Sequence, residues 1–389
     1  MVERADFLVV GAGIAGASAA FELSRNASVV LVERESQPGY HSTGRSAAVF
    51  TEIYGNAVIR ALTVASAPFF ANPGHGFSDY PLWSPRPLIM IARKDQMPEL
   101  EALYEVAVKL VPTLKIIDAD EVRARLPVLR KDYIEAGLLE ENSRDLDVNA
   151  IHMGFLRGAR ARGTQLVQNA EVRGARRDRD GWVVETAAGE IAGKVLVNAA
   201  GAWADELAAL AGAAPIGLVP KRRSACIFTF EPWQAVEGWP TIIDISEEFY
   251  FKPEAGKLLG SPADETPTPP CDAQPEELDI AIAIDRIMQA ADVDVRTVER
   301  KWAGLRSFVT DKSPVVGYDD AVEDFFWLAA QGGYGIQTSP ALSRTAAALA
   351  RREAVPSDVA SLGVSEASLA PDRLRRGGDL NMNATQKKG

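Results

Sequence analysis

An α/β fold, α+β overall, is predicted for this chain: a Rossmann-like nucleotide-binding domain with a second, mainly antiparallel β-sheet domain. Three observations predict it. The chain opens on a strand, a glycine turn, a helix and a second strand that ends in an acid. Two later apolar strands, Val195-Leu196-Val197 and Phe325 to Leu328, also run into small-residue turns followed by helices. The length of 389 residues, 47% hydrophobic and 24% charged, suits a globular protein of two domains.

The first unit carries most of the argument. Phe7 to Val10 reads as a short buried strand, Gly11-Ala12-Gly13-Ile14-Ala15-Gly16 follows at once, a helix covers Ala17 to Leu23, and the strand Val29 to Val32 leads into Glu33. Gly11 permits the tight turn, Gly13 lets the backbone approach a pyrophosphate, and Gly16 lets helix and strand pack closely. The helix N-terminus presents unpaired N–H groups and a positive dipole end to phosphates. Glu33, 22 residues after Gly11, can accept hydrogen bonds from a ribose diol. A glycine turn without a ligand is the competing reading, and the flanking strand, helix and acid favour an ADP-containing dinucleotide.

The loop from Arg34 to Ala48 is polar, punctuated by glycine, and long enough to extend past the pyrophosphate towards an isoalloxazine ring, where a nicotinamide enzyme is expected to continue with a regular helix. Helices are predicted over Met97 to Leu110 and Glu277 to Ala291, and a strand over Gly181 to Thr186 with its turn at Ala187 to Glu190. Another strand spans the residues around 222–228, with Arg223, Ala225 and Ile227 on one face and Arg222, Ser224, Cys226 and Phe228 on the other. The stretch 253–275, rich in Pro, Gly and acids, reads mostly as loop, and residues 376–389 as a disordered tail.

Composition excludes several function classes. The net charge of −11 and the lack of a basic stripe argue against nucleic acid. Cys226 and Cys271 form no CxxC motif and suggest a reduced compartment, and His41, His75 and His152 have no metal-site spacing. The apolar run Phe7 to Ala20 follows a lead of mixed charge and contains the glycine turn, so it is no signal peptide. No stretch of 18 apolar residues spans a membrane, and a cytoplasmic location is expected.

The stretches PGYHSTGRSAA (38–48), SPRP (84–87), VNAAGAW (197–203), PKRRSA (220–225), WAGLRSF (302–308) and AAQGGYGIQTS (329–339) carry a resemblance over nearly the whole chain. The chain resembles the D-amino-acid oxidase and glycine oxidase superfamily of FAD enzymes, and within it the bacterial FAD-dependent D-arginine dehydrogenases. The resemblance implies a Rossmann-like FAD-binding domain from residues 1–75, 145–215 and 310–375, and a substrate domain from 76–144 and 216–309. It implies noncovalent FAD held by Gly11, Gly13, Ile14, Ala15, Gly16, Glu33, Arg34, His41, Ser42, Thr43, Arg45, Ser46, Ala47, Ala48, Val172, Gly201, Trp203, Gly332, Gly333, Tyr334, Gly335, Ile336, Gln337 and Thr338.

By the same resemblance Arg223 and Arg306 hold the substrate carboxylate with the Tyr250 hydroxyl, Tyr54 belongs to an active-site lid, and Gly333 offers its carbonyl to the substrate amine. A planar guanidinium fork matches a carboxylate, as a lysine does not. Strand alternation sends only one of Arg222 and Arg223 inward, and Arg223 is the choice. The implied activity is oxidation of a D-amino acid by hydride transfer from Cα to flavin N5, giving an imino acid that hydrolyses to a 2-oxo acid and ammonia. The implied partners are an amino-acid substrate and an electron acceptor that the sequence leaves unidentified, with oxidase and dehydrogenase both open.

Specificity is where the chain departs from the D-arginine enzymes. They carry a glutamate directly after SPRP, where this chain has Leu88, and a histidine after RSAA, where it has Val49. Thr51, Thr241 and Ile243 complete the expected side-chain pocket and add little charge. Burying a guanidinium without a carboxylate partner costs on the order of several kcal/mol, so apolar or aromatic D-amino acids are expected to be preferred over D-arginine. Glycine, a secondary amine such as sarcosine, or a 2-hydroxy acid presents the same carboxylate and remains an alternative. A flavin-binding protein without turnover is a third reading, against which the pair Arg223 and Arg306 argues.

Overall fold

The computed structural model describes residues 4–231 and 236–375. The tail at 376–389, expected to be disordered, lies outside the described residues. One sheet has eight strands. Its parallel part runs Phe325–Ala329, Gly189–Asn198, Arg4–Val10, Val29–Val32 and Gln165–Val167, in that spatial order. The antiparallel strand Val315–Tyr318 borders one end, and the hairpin Val172–Asp178 with Gly181–Thr186 branches from the first half of Gly189–Asn198. Alternation along the first strand explains why both faces are covered. Phe7 and Val9 pack with the helices Ile14–Leu23, Val148–Ala161 and Gly335–Ala350, while Leu8 and Val10 face Leu207 and Ala208 on the other side.

The glycine turn is fixed by contact rather than by flexibility. Gly11 has φ +103°, a left-handed conformation, and a Cβ on Gly16 would lie 1.8 Å from the Gly11 carbonyl oxygen. Helix Ile14–Leu23 can therefore start against the strand only if residue 16 has no side chain.

The second sheet has nine strands and is mainly antiparallel; the pair Leu88–Ala92 and Thr241–Asp244 is parallel. Its longest strands, Val219–Glu231 and Asp294–Phe308, pair antiparallel over almost their full length. The predicted helix after Met97 ends at Ala107, just before the turn that leads to Pro112, and the other runs Glu277–Ala290. The expectation of loop over 253–275 is corrected in its first half. Lys257–Ser261 is a strand held between Tyr250–Glu254 and Val219–Glu231, with Leu258, Leu259, Gly260 and Ser261 buried. Two neighbouring strands supply enough cross-strand pairs to outweigh the turn-forming composition around it. A small three-stranded sheet, Val49–Phe50, Arg144–Leu146 and Trp83–Pro85, lies apart from the two large ones.

Among the described residues no helix is long and apolar enough to cross a membrane. Gly16→Ala is expected to destabilise the fold by about 2 kcal/mol or more through overpacking, read as a lower thermal midpoint.

Candidate active site

Three neighbouring cavities share wall residues and form one run. The first is bordered by Gly11, Glu33, Arg34, His41, Val172 and Trp203. The second shares Gly13, Ser42, Thr43 and Gly201 with it and adds Ile14, Ala15, Arg45, Gly332 and Gly335. The third shares Ser46, Ala47, Arg223, Tyr250, Arg306, Gly333 and Ile336 with the second. It adds Ala48, Val49, Thr51, Tyr54, Thr241, Ile243, Tyr334 and Gln337. Of the predicted cofactor residues, Gly16 and Thr338 do not border these three cavities. Gly16 packs against Gly11, and the buried Thr338 hydroxyl turns back to donate to the Tyr334 carbonyl within its own helix.

The first end is built for a dinucleotide. The buried Glu33 carboxylate accepts the Ala12 N–H at 2.8 Å and the Glu35 N–H at 3.0 Å, which orients it and leaves lone pairs for a diol. Burial pushes its pKa above the ordinary carboxylate value. The Thr43 hydroxyl accepts the Ile14 N–H at 3.0 Å and ties the 42–48 loop to the helix N-terminus. The Arg34 guanidinium lies 4.8 Å from the Trp203 ring centroid and pairs with Glu171 at 3.0 Å, and His41 meets Glu35 at 2.9 Å. The charge of Arg45 is already used. It pairs with Asp272 and donates to the Ala273 and Ala303 carbonyls at 2.9 and 3.0 Å, stapling the loop to the second sheet. Trp302 donates to the Arg45 carbonyl at 2.9 Å and borders the second cavity.

The other end gathers two arginines. Arg306 stands opposite Lys221 in the antiparallel register, and Arg223 is two residues further along that strand, so both project from one face. Arg222 points the other way, to Glu276 and to Asp279 at 3.1 Å. The Arg223 Nε donates to the Asp264 carbonyl at 2.8 Å, its Nη2 is 3.6 Å from Glu265, and that Nη2 has no hydrogen-bond partner. Among the described residues Arg306 has neither an ion pair nor a hydrogen bond to its guanidinium. Burial works against its charge, but Tyr54, Tyr250, Tyr334 and Glu247 around it hold its pKa above the ordinary value. A Cβ on Gly333 would come within 2.8 Å of the guanidinium, so a side chain there would displace the Arg306 head from this position. The Gly332 N–H is bonded to the Ser307 carbonyl at 3.0 Å, which locks the turn to the arginine strand.

A large surface cleft elsewhere is lined by several ion pairs. Arg86 and Lys252 each meet Asp145 at 2.8 Å, and Lys252 meets Glu254 at 3.1 Å.

Two acids escaped sequence reasoning. Glu247 sits at the tip between the strands Thr241–Asp244 and Tyr250–Glu254, and accepts the Tyr54 hydroxyl at 2.6 Å. Burial and Glu247 push the Tyr54 pKa up, so Tyr54 remains the donor. Polar residues between two short apolar strands mark such a tip, but nothing local shows what the tip touches. Glu140 is buried, accepting the Thr51 hydroxyl at 2.5 Å and the Glu52 N–H at 2.7 Å. Burial pushes its pKa up to about 7.

Leu88, expected on the pocket wall, is corrected. It is fully buried with Ile53, Met90, Leu100 and Leu138 in a cluster against which Val49 and Ile243 pack, one layer behind the cavity. Alternation along Leu88–Ala92 sends residues 88 and 90 towards the helix Met97–Ala107.

Leu88→Glu would place an unpaired carboxylate in that cluster, opposite Glu140 in the strand register. It is expected to lower stability by about 3 kcal/mol, seen as a fall in Tm. Glu140 makes a second prediction. Its proton is held up to about pH 7 in the folded state and only to its ordinary 4.5 when unfolded. Its contribution therefore declines as pH rises through that window, and Glu140→Gln is expected to flatten that part of the stability–pH curve relative to wild type.

The geometry has counterparts among known proteins. Dimethylglycine dehydrogenase of Rattus norvegicus is 23% identical over 366 residues, covering 86% of this chain and 41% of that protein. L-2-hydroxyglutarate dehydrogenase of Escherichia coli K12 is 25% identical over 54% of this chain and 50% of its own length. The chain thus spans half or less of these two curated relatives. Among solved structures, L-proline dehydrogenase from P. horikoshii superposes with a TM-score of 0.83 at 21% identity, covering 97% of this chain and 99% of that one. Glycine oxidase from Geobacillus kaustophilus gives 0.79 at 20%, covering 93% and 98%. The FAD dependent oxidoreductase family profile matches residues 6–349. The glycine cradle and the cavity run fit FAD, the cofactor of this family, and the chain belongs to the FAD dependent oxidoreductase (DAO) family.

Proposed function

We propose that this oxidoreductase is an FAD-dependent D-amino-acid dehydrogenase, forming imino acids that hydrolyse to 2-oxo acids and ammonia. The observation that carries the reading is the unpartnered Arg306 guanidinium beside Arg223 at the end of the cofactor run. A buried cation without a partner is unfavourable, and a carboxylate ligand supplies one through a fork-shaped contact. Tyr250 borders both adjoining cavities and adds its hydroxyl to the clamp. Gly333 directs its carbonyl to the substrate amine, and Tyr54 closes over the bound molecule, excluding water. Noncovalently bound FAD supplies the hydride acceptor at N5. The protein's own contribution is to hold Cα in place and keep the carboxylate neutralised.

The nearer resemblance to D-arginine dehydrogenases, drawn from the motifs, supports the choice of D-amino acids. Val49 and Ile243 on the wall support apolar or aromatic side chains over D-arginine, because the acid bordering that cavity, Glu247, is solvent-exposed, where an ion pair is weak. The proposed division into an FAD domain and a substrate domain follows the two large sheets, and a cytoplasmic location completes the reading. A second reading, a secondary amine or 2-hydroxy acid as substrate, is favoured by the names of the dimethylglycine and L-2-hydroxyglutarate dehydrogenases.

Arg306→Lys keeps the charge and removes the fork. It is expected to lower kcat/KM for D-amino acids by about a hundredfold, roughly 2.7 kcal/mol, with FAD retained; an unchanged KM contradicts the clamp. The rate is expected to rise with pH on one apparent pKa belonging to the substrate amine. Arg306 and Tyr54 are both held above their ordinary values and do not titrate in that range.

A further inference from the structure

Thr241 is 1% exposed and borders the third cavity, and its hydroxyl oxygen is buried with no hydrogen-bond partner. Buried hydroxyls are nearly always satisfied, and leaving one bare is unfavourable. The Thr241 N–H donates to the Pro87 carbonyl at 2.8 Å, which fixes the residue's place beside the strand Leu88–Ala92. Thr241 borders the cavity together with Val49, Thr51 and Ile243. Thr51 is already committed. Its hydroxyl meets Glu140 at 2.5 Å, and its N–H meets the Gln337 side-chain oxygen at 3.2 Å. A hydrocarbon side chain entering here would satisfy Val49 and Ile243 and leave Thr241 bare. A charged one would meet only Glu247, which is solvent-exposed and also accepts from Tyr54.

We infer that Thr241 is a specificity-determining residue and that the preferred substrates carry a neutral hydroxyl or carboxamide side chain, of the serine, threonine, asparagine and glutamine type. The inference rests on the proposed amino-acid oxidation and replaces the apolar or aromatic preference with a neutral polar one. Oxygen or nitrogen of such a side chain completes the Thr241 hydroxyl, while its short carbon stem packs on Val49 and Ile243.

The test uses near-isosteric pairs, D-asparagine against D-leucine and D-threonine against D-valine, on the FAD-loaded protein. Both kcat/KM and the Kd from perturbation of the flavin spectrum are read. Wild type is expected to favour the polar member by about tenfold. Thr241→Val, similar in shape, is expected to erase most of that ratio, and Thr241→Ser to keep it. Because the Ser variant retains the hydroxyl in a smaller side chain, a ratio lost in both variants would point to packing and overturn the inference. Turnover of D-leucine with a polar ratio of one or less, or a ratio untouched by Thr241→Val, overturns the inference and leaves amino-acid oxidation standing. If no amino acid is turned over or perturbs the flavin, the functional reading fails and takes the inference with it.

Discussion

The register between the strands Val219–Glu231 and Asp294–Phe308 places two guanidinium groups on one face of a sheet, and one of them, Arg306, has no ion pair or hydrogen bond among the described residues. The fold does not lack acids for the purpose. Arg222, one residue away, is paired with Glu276 and Asp279, and Arg45 with Asp272. A charge without a partner beside such pairs supports the proposed carboxylate site. Everything around the site serves to hold that charge beside the dinucleotide run.

The holding is done by backbone. The turn after Phe325–Ala329 is stitched to the arginine strand through the Gly332 N–H, and Gly333 leaves room for the Arg306 guanidinium. On the opposite side, the 42–48 loop is tied to the helix N-terminus by Thr43 and to the second sheet by Ser42 and Arg45, with the Ser42 hydroxyl on the Leu305 carbonyl at 2.6 Å. One loop therefore fixes the distance between the glycine cradle and the arginine pair. A site held by both sheets depends on their relative placement, and geometry of this kind is what positioned catalysis requires.

Much of this is written locally in the chain. The strand–glycine–helix unit is legible because Gly11, Gly16 and Glu33 each answer a local steric or hydrogen-bonding demand, and strand alternation shows that only one of Arg222 and Arg223 can face inward, while the choice of Arg223 rests on the resemblance. Leu88 was misplaced for the opposite reason: whether an apolar strand residue borders a cavity or lies behind one depends on the helix packed above it, which no local pattern records. Glu247 and Glu140 come from segments remote in sequence from Tyr54 and Thr51, the residues they meet. The strand Lys257–Ser261 exists because two neighbours pair with it, against its own turn-rich surroundings. The bare hydroxyl of Thr241 is visible only once every possible partner has been placed.

The most direct measurement is anaerobic: mix the purified FAD-loaded protein with D- and L-forms of the same amino acids and follow flavin absorbance. Rapid bleaching by D-amino acids, with the L-forms inert, is the result this account predicts. Bleaching by L-forms alone, or by a 2-hydroxy acid and no amino acid, would contradict it.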